Sequence, residues 1–310
     1  MQRLILGLFV VAFISLTGVS AEAALSDYFV SSDWLVKNRD QAVVVDVRRL
    51  PLFVLGHIDG AAHIDRAEFL ETRNGVKSLV PQAKALAALL SRLGVTEQTP
   101  VVAYAEDDNP YAARFVWTLR YHGHQQAYVL DGGYQKWAAE KHPTTIFPTA
   151  AAQPSNYQLS AALQSQDSRA EGDYLLTRLE NPSVLIWDTR RPEEYAGSEV
   201  RANRGGHIPG AVALNWTNLQ KEVNGVKVLK SEAEIVQLLQ EHGITSEREI
   251  IAHCQTGIRS AYATLVLQGL GYQKVKNYDG SWIEWANNPT LPIINVDGQL
   301  ESADTLAKTN

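Results

Sequence analysis

The order of apolar and polar residues predicts buried strands alternating with amphipathic helices. Short apolar runs at residues 43–45 and 101–103 are bounded by polar or turn residues, which is typical of buried strands. Between them, four leucines keep the i, i+3, i+4, i+7 spacing of one helix face: Leu86, Leu89, Leu90 and Leu93. The alternation indicates an α/β fold in which helices cover a central, mainly parallel sheet.

The pattern occurs twice along the chain. Residues 43–45 and the following Asp46-Val47-Arg48 are matched by residues 184–187 and Asp188-Thr189-Arg190, 142 positions later. In the same order, residues 56–61, 74–77 and 131–133 return as residues 206–211, 224–227 and 279–281. The helix spacing returns at Ile235, Leu238 and Leu239, and the second strand at residues 250–252. Several motifs repeated in one order indicate a duplicated domain.

Composition changes mark the domain boundaries. The segment from about residue 146 to 168 is rich in Ala, Gln, Ser, Thr and Pro and has no sustained apolar period, as expected of a linker. We therefore predict an N-terminal domain at residues 24–145 and a C-terminal domain at residues 169–298. Residues 299–310 are predicted to be a tail.

The first 23 residues have the features of a secretory signal peptide. Arg3 precedes an apolar run over residues 4–16, and Ala21-Glu22-Ala23 forms a small-x-small cleavage site. The run is shorter than the ~20 residues that a membrane-spanning helix needs. We expect cleavage before Ala24 and export to the periplasm, without stable membrane association afterwards. The alternative is an uncleaved anchor.

Charge and cysteine content restrict the possible chemistry. The formal net charge of −6 argues against a nucleic-acid partner, which would require a basic surface. Cys254 is the single cysteine of the 310 residues, so an intramolecular disulfide, a cysteine-rich zinc site and an iron-sulfur cluster are excluded. Any cysteine chemistry must belong to this thiol.

Cys254 follows the predicted strand at residues 250–252 and precedes a predicted helix. Ligands bind at the carboxyl ends of strands in open α/β sheets, and a helix N-terminus favours a thiolate over a thiol. Gly257 allows a tight turn whose amides converge on the sulfur, and Arg259 adds a positive charge. These features favour a reactive cysteine over the alternative, an inert buried one.

The motifs together resemble a tandem-domain rhodanese, a thiosulfate sulfurtransferase. The resemblance rests on residues 254–259, residues 206–211, Asp188-Thr189-Arg190 with Glu194-Tyr195, and residues 279–282. It implies two rhodanese-like α/β domains, each with a central, mainly parallel sheet flanked by helices. It also implies that only the C-terminal domain is catalytic. Ala105 stands where Cys254 stands in the second copy, which fits an inactive first domain.

The resemblance further implies that Cys254 carries a persulfide between two half-reactions. The thiolate attacks the sulfane sulfur of thiosulfate, and cyanide or a thiol then accepts that sulfur. No cofactor or metal is expected. The predicted substrate-binding residues are Gln255, Thr256, Gly257, Ile258, Arg259, Asp188 and Trp216.

Some assignments have structural alternatives. Asp188 is expected to orient the site, but a role as a helix cap explains it equally well. Trp216 is a candidate for the wall of the substrate pocket, and a core residue is the equally good alternative. His57 and His207 occupy equivalent turns of both copies and are assigned structural roles. Asp131 and Asp279 are assigned to caps or turns.

Three other functions are compared with thiosulfate transfer. A cysteine phosphatase has a loop one residue longer between its cysteine and arginine. A 3-mercaptopyruvate sulfurtransferase has an arginine where this chain has Glu194, although Arg201 and Arg204 could bind a carboxylate. A non-catalytic persulfide carrier or binding module is the alternative from another class.

Overall fold

A computed structural model describes residues 24–106, 109–159 and 166–302, which form two α/β domains. The predicted signal peptide, residues 107 and 108, and the end of the predicted tail lie outside the described residues. Within the described ranges, no helix has the length and apolar character needed to cross a membrane.

The N-terminal domain is built on a five-stranded parallel sheet of order β1-β8-β7-β2-β4. Its elements are β1 (Phe29–Val30), α1 (Ser32–Asn38), β2 (Val43–Asp46), α2 (Leu50–Leu55), β3 (His57–Ile58), β4 (Ala62–His63), β5 (Glu71–Arg73), β6 (Val76–Leu79), α3 (Ala83–Arg92), β7 (Val101–Tyr104), α4 (Tyr111–Tyr121), β8 (Ala127–Leu130), α5 (Gly133–Ala139) and β9 (Thr144–Thr145).

The C-terminal domain repeats this arrangement in a parallel sheet of order β10-β16-β15-β11-β12. Its elements are β10 (Arg169–Ala170), α6 (Gly172–Leu176), β11 (Val184–Asp188), α7 (Pro192–Ala196), β12 (Val212–Ala213), β13 (Gln220–Val223), β14 (Val226–Leu229), α8 (Glu232–Glu241), β15 (Glu249–His253), α9 (Ile258–Gly269), β16 (Val275–Tyr278), α10 (Ser281–Asn287), β17 (Ile293–Ile294) and β18 (Leu300–Glu301). The equivalent strand order confirms the predicted duplication and fold class.

The predicted amphipathic helices are present in both domains. α3 buries Leu86, Leu89 and Leu90, while α8 buries Ile235 and Leu239. Gly94 and Gly243 follow the two helices in the left-handed conformation, with φ of 71° and 68°. A residue without Cβ adopts this conformation at no steric cost, which explains why both helices end there.

Two helices, α4 and α9, pack against each other at the domain interface. Residues 112–119 of α4 and 260–267 of α9 are all buried. One continuous apolar core contains residues of both domains, including Phe115 of α4 and Leu265 of α9. Because α9 is covered by its own sheet and by α4, its N-terminus is held from both domains.

A β-hairpin of each domain extends to the other domain. The β5–β6 and β13–β14 hairpins turn at Asn-Gly pairs with positive φ, typical of two-residue hairpin turns. After β6, the N–H of Val80 donates to Asp279 at 3.0 Å, and at the end of β14 the N–H of Leu229 donates to Asp131 at 2.8 Å. The two aspartates therefore join the domains, a role that the sequence did not indicate.

The linker and the beginning of the tail contact the domains. In the linker, the hydroxyl of the buried Tyr157 lies 2.9 Å from His124 Nδ1 of the N-terminal domain. β18 pairs with β17, so the paired structure of the C-terminal domain extends to Glu301, beyond the predicted boundary at residue 298.

Candidate active site

Cys254 lies in the loop between β15 and α9, at the carboxyl end of the parallel sheet. Its side chain is buried, and Gly257 forms the N-cap of α9 with a left-handed φ of 73°. A Cβ atom at position 257 would lie 2.6 Å from the carbonyl oxygen of Asp279. Conformation and space together require glycine here, as the sequence predicted.

The carbonyl groups of the loop are bound on its outer side. The N–H groups of Trp282 and Ile283 in α10 donate to the carbonyl oxygens of Cys254 and Gln255, each at 3.0 Å. Ser281 Oγ accepts the N–H of Cys254 at 3.2 Å. The N–H groups of Thr256 and Ser260 donate to the sulfur. The loop is therefore an anion cradle around Sγ.

The cradle changes the acidity of the thiol. Burial alone raises the pKa of Cys254, but the Arg259 guanidinium and the N–H groups of Ser260 and Thr256 outweigh it. The pKa of Cys254 therefore lies below its ordinary value, and the thiolate is favoured. This arrangement provides a nucleophile that is activated without a separate general base.

Arg259 is held by a buried carboxylate, Glu194 of α7. Its Nη1 and Nη2 donate to the two carboxylate oxygens at 2.6 and 2.9 Å, and the Glu194 side chain is 1% exposed. Arg191 and Arg201 also lie within 3.3 Å of this carboxylate. Burial opposes ionisation of Glu194, but the hydrogen bonds of Arg259 and the other contacts lower its pKa to about 2.

Glu194 was not among the predicted site residues. In the sequence it appeared among the residues that carry the family resemblance and as the position where a mercaptopyruvate enzyme has arginine, with no role in the site assigned to it. The sequence around Glu194 indicates only a local role for it: as the third residue of α7, it accepts the N–H of Arg191 in a capping box. Its contact with Arg259, 65 residues away, depends on the fold.

The other loop residues serve the cradle in different ways. Gln255 is buried and its Nε2 donates to the carbonyl of Arg201 at 2.8 Å, which ties the loop to the segment after α7. Ile258 is buried as the first residue of α9, and the Thr256 side chain is partly exposed. Substrate contacts of these three residues remain predictions. Their positions in the loop around Cys254 are compatible with that role.

Asp188 lies beside the loop, at the end of β11. It accepts two hydrogen bonds from Arg190 Nε and one from Nη2, the latter at 2.6 Å, and also accepts the N–H of Arg190. Its Oδ2 is 3.6 Å from Nε2 of His253, the residue before the nucleophile. In the N-terminal domain Asp46 binds Arg48 in the same way. Because this aspartate–arginine pair is present in both domains, it is part of the fold. In the C-terminal domain, Asp188 of the pair also contacts His253.

Trp216 and the two predicted structural histidines lie in packed environments. The ring of Trp216 is buried and meets that of Tyr262 edge-on at 5.2 Å in the apolar core. Its substrate-binding role stays a prediction. His57 stacks on Phe53 at 3.7 Å and His207 on Tyr195 at 3.8 Å, so the two histidines make matching contacts in the two domains.

The equivalent loop of the N-terminal domain lacks the features of the cradle. Ala105 replaces the cysteine, and α4 is preceded by Pro110, which has no N–H to donate. Tyr111, 148 residues before Arg259, occupies the equivalent position in this domain. Arg66 lies over the ring of Tyr111 and is 4.0 Å from Glu106. Two further acidic residues of this loop, Asp107 and Asp108, lie outside the described residues.

We expect Ala105→Cys on a Cys254→Ser background to acquire no sulfur from thiosulfate. The loop offers the Glu106 carboxylate where a thiolate needs positive charge, and a like charge raises a thiol pKa. Intact mass spectrometry after incubation with excess donor measures the result. A stoichiometric gain of sulfur at position 105 would contradict the assignment of this domain as inactive.

We expect His253 to make the stability of the protein depend on pH. Burial lowers its pKa from 6.5 to about 4, although Asp188 acts in the opposite direction. As the pH falls from 6.5 towards 4, the unfolded chain binds a proton that the folded protein excludes. The free energy of unfolding therefore decreases, by at most about 3 kcal/mol from this group.

His253→Tyr is the matched variant, because Tyr104 occupies the equivalent position in the N-terminal domain. We expect the urea midpoint of the wild-type protein to fall more between pH 7 and 5 than that of the variant. Equal decreases in both proteins would show that His253 is not the titrating group.

Within the described residues, no cluster of three or more His, Cys, Asp or Glu side chains is arranged to hold a metal ion. Two α/β domains with parallel sheets, the second of which holds a cysteine in an anion cradle, define the class to which the protein belongs. A family model described as Rhodanese-like domain matches residues 31–140 and again residues 171–288. The chain belongs to the rhodanese family and contains two rhodanese-like domains, as the sequence motifs predicted.

Curated relatives cover most of the chain. The thiosulfate sulfurtransferase of Azotobacter vinelandii is 36% identical over 253 residues, which cover 82% of this chain and 91% of that protein. The sulfur carrier protein TtuD of Thermus thermophilus is 35% identical over 286 residues, which cover 86% of this chain and 96% of that protein. The sulfurtransferase relatives support a sulfurtransferase activity for this chain.

Solved structures show the same fold at lower identity. The anaerobic ergothioneine biosynthesis enzyme from Chlorobium limicola has a TM-score of 0.74 at 21% identity, with 86% of this chain and 70% of that chain covered. YnjE has a TM-score of 0.75 at 21% identity, with coverage of 86% and 68%. These similarities concern the fold alone.

Proposed function

We propose that the protein transfers the sulfane sulfur of thiosulfate to cyanide or a thiol through a persulfide on Cys254. The observation that carries this proposal is the cradle, in which Arg259 and the N–H groups of Thr256 and Ser260 stabilise a thiolate at Cys254. The thiosulfate sulfurtransferases among the relatives support the choice of donor.

In the first half-reaction, the Cys254 thiolate attacks the outer sulfur of thiosulfate. The sulfur–sulfur bond of the donor breaks, its electron pair leaves with sulfite, and Cys254 becomes a persulfide. In the second half-reaction, cyanide attacks the terminal sulfur and leaves as thiocyanate, which regenerates the thiolate. The loop N–H groups and Arg259 stabilise the anionic sulfur in both states.

The neighbourhood of Glu194 favours thiosulfate over 3-mercaptopyruvate. Glu194 places a carboxylate where a substrate-binding arginine would be needed, and it already binds Arg259. Arg204 does not reach the site, because it donates to the carbonyls of Trp285, Ala286 and Asn288. Arg201 is about half exposed and lies 3.2 Å from Glu194. Of the two arginines considered for binding the carboxylate of 3-mercaptopyruvate, Arg201 is therefore the one that remains.

Steady-state assays with two donors and two acceptors test this proposal. Thiosulfate and 3-mercaptopyruvate are each paired with cyanide and with a dithiol, and kcat/KM is measured for every pair. We expect thiosulfate to be the preferred donor with both acceptors. A higher kcat/KM for 3-mercaptopyruvate would overturn the donor assignment.

A sulfur carrier is the second candidate, because the relative TtuD is named as one. A carrier would load sulfur on Cys254 but release it only to a specific protein acceptor. Stoichiometric persulfide formation without turnover on either small acceptor would favour the carrier over the enzyme.

We also propose that the protein is exported and that residues 1–23 are removed. The proposal rests on Arg3, the apolar run and the Ala21-Glu22-Ala23 site. Expression of the full chain in a Gram-negative host, followed by intact mass measurement of the periplasmic fraction, should give a protein that begins at Ala24. Uncleaved protein in the cytoplasmic fraction would refute export.

A further inference from the structure

Arg114 connects the N-terminal domain to the loop that holds Cys254. It lies in α4, and its side chain is 0% exposed. The guanidinium donates to three oxygens: Ser78 O at 2.8 Å, Asp279 Oδ1 at 2.6 Å and Gly257 O at 3.1 Å. Two of these acceptors, Gly257 and Asp279, belong to the C-terminal domain. A buried cation of the inactive domain therefore binds the backbone of the active loop.

Hydrogen bonds to the carbonyl of Gly257 restrain the backbone of the loop. This carbonyl accepts a second hydrogen bond, from Asn277 Nδ2 at 3.0 Å. Because a peptide unit is planar and trans, the C=O of Gly257 and the N–H of Ile258 point in opposite directions. With the carbonyl directed towards Arg114, the first N–H of α9 is directed away from Arg114. Gly257 lies between Thr256 and Ser260, whose N–H groups donate to the sulfur. Holding the carbonyl of Gly257 therefore restrains the segment that carries both donors.

The two halves of the protein differ at this point. Asp279 and Asp131 occupy equivalent positions, and each accepts an N–H from the hairpin of the other domain. The position 148 residues after Arg114, however, is Tyr262, so a tyrosine stands in α9 at the position equivalent to Arg114. If Arg114 served only to join the domains, an arginine would be equally useful beside Asp131 and beside Asp279.

Stability alone does not account for Arg114. Burying a guanidinium and a carboxylate requires that both be removed from water, which offsets much of the attraction between them. Asp279 already has a second cation, since Arg169 Nε lies 3.2 Å from its other carboxylate oxygen. Within the described part of the chain, Arg114 Nε has no hydrogen-bond partner.

We propose that Arg114 is a positioning residue for the catalytic loop, which it holds through the carbonyl of Gly257 so that the loop N–H groups face the Cys254 sulfur. The proposal rests on the proposed function of this loop in sulfur transfer. It gives the inactive domain a direct part in the reaction.

Arg114→Lys tests the proposal, with Arg114→Met as a second variant. Lysine keeps the positive charge beside Asp279, but a single ammonium group lacks the planar fork that serves three oxygens. We expect the pH profile of Cys254 alkylation by iodoacetamide to shift upward in both variants. We also expect kcat/KM for thiosulfate to fall roughly 10-fold to 100-fold, because a small displacement of the loop moves the groups that stabilise the reacting sulfur out of position.

Asp131→Asn is the matched control. It weakens the equivalent contact between the domains, to the N–H of Leu229, on the side of the inactive loop. We expect it to lower the thermal midpoint and to leave the alkylation profile unchanged. Thermal denaturation of all variants shows whether they are folded.

If these two Arg114 variants do not fold, Arg114→Gln is measured instead: its amide buries no charge and cannot serve all three oxygens, and a wild-type alkylation profile in it overturns the proposal. In folded arginine variants, wild-type alkylation profiles overturn the positioning role, whether or not the protein transfers sulfur. Because alkylation needs no sulfur donor, an upward shift in a protein that transfers no sulfur would support positioning and refute the proposed function.

Discussion

Replacing Cys254 with serine is expected to lower the rate of sulfur transfer by at least about 10⁴-fold, because the variant lacks the atom that carries the persulfide. Wild-type protein incubated with thiosulfate alone should gain one sulfur atom, located on Cys254. The persulfide forms before the acceptor is needed. Intact mass spectrometry measures both the gain and its absence in Cys254→Ser.

Cyanide provides the control for this experiment. Its addition should remove the extra sulfur from the wild-type protein and restore the original mass. If the wild-type protein turns over thiosulfate but never gains sulfur under excess donor, the two half-reactions proposed for Cys254 are wrong.

Arg259→Ala is expected to reduce turnover with thiosulfate by on the order of 10² to 10³, the usual loss when one preorganised donor to a developing charge is removed. The variant should also raise the thiol pKa, since the guanidinium is the largest favourable contribution to the thiolate. The pH dependence of iodoacetamide alkylation measures this change. Turnover and alkylation profiles that both match the wild type would remove Arg259 from the site.

Two further variants separate the charge of Arg259 from its position. Arg259→Lys keeps the charge but cannot bind both oxygens of Glu194 in one plane, so only part of the activity should return. Glu194→Gln keeps the guanidinium and removes the negative charge beside it. We expect this variant to shift the alkylation profile downward, opposite to Arg259→Ala, because the local charge becomes more positive.

Much of the active loop could be predicted because its determinants are local. Cys254, Gly257 and Arg259 lie within six residues, and the loop joins a strand to a helix, so the left-handed glycine and the helix N-terminus follow from the sequence itself. The duplicated motifs likewise predicted the second sheet, since each motif lies at the same place in its domain.

The partners of that loop could not be predicted in the same way. Glu194 reaches Arg259 across 65 residues, and Arg114 reaches Gly257 across 143 residues and from the other domain. A charged residue in a sequence reads as a solvated surface residue unless its partner is known. Arg114 is buried because α4 packs against α9, and Glu194 is buried where α7 meets Arg259.

The α/β class, the duplication, the single cysteine and the absence of a cysteine in the first copy can all be read from the amino-acid sequence. Periodicity, repeated motifs and residue identity are local properties of the chain. The packed domains, by contrast, bury residues 112–119 of α4 and 260–267 of α9, join the domains through Asp131 and Asp279, and place a carboxylate on Arg259. These features arise between segments far apart in the chain. Their energies depend on distance, burial and charge, which are defined only after the two domains have packed together.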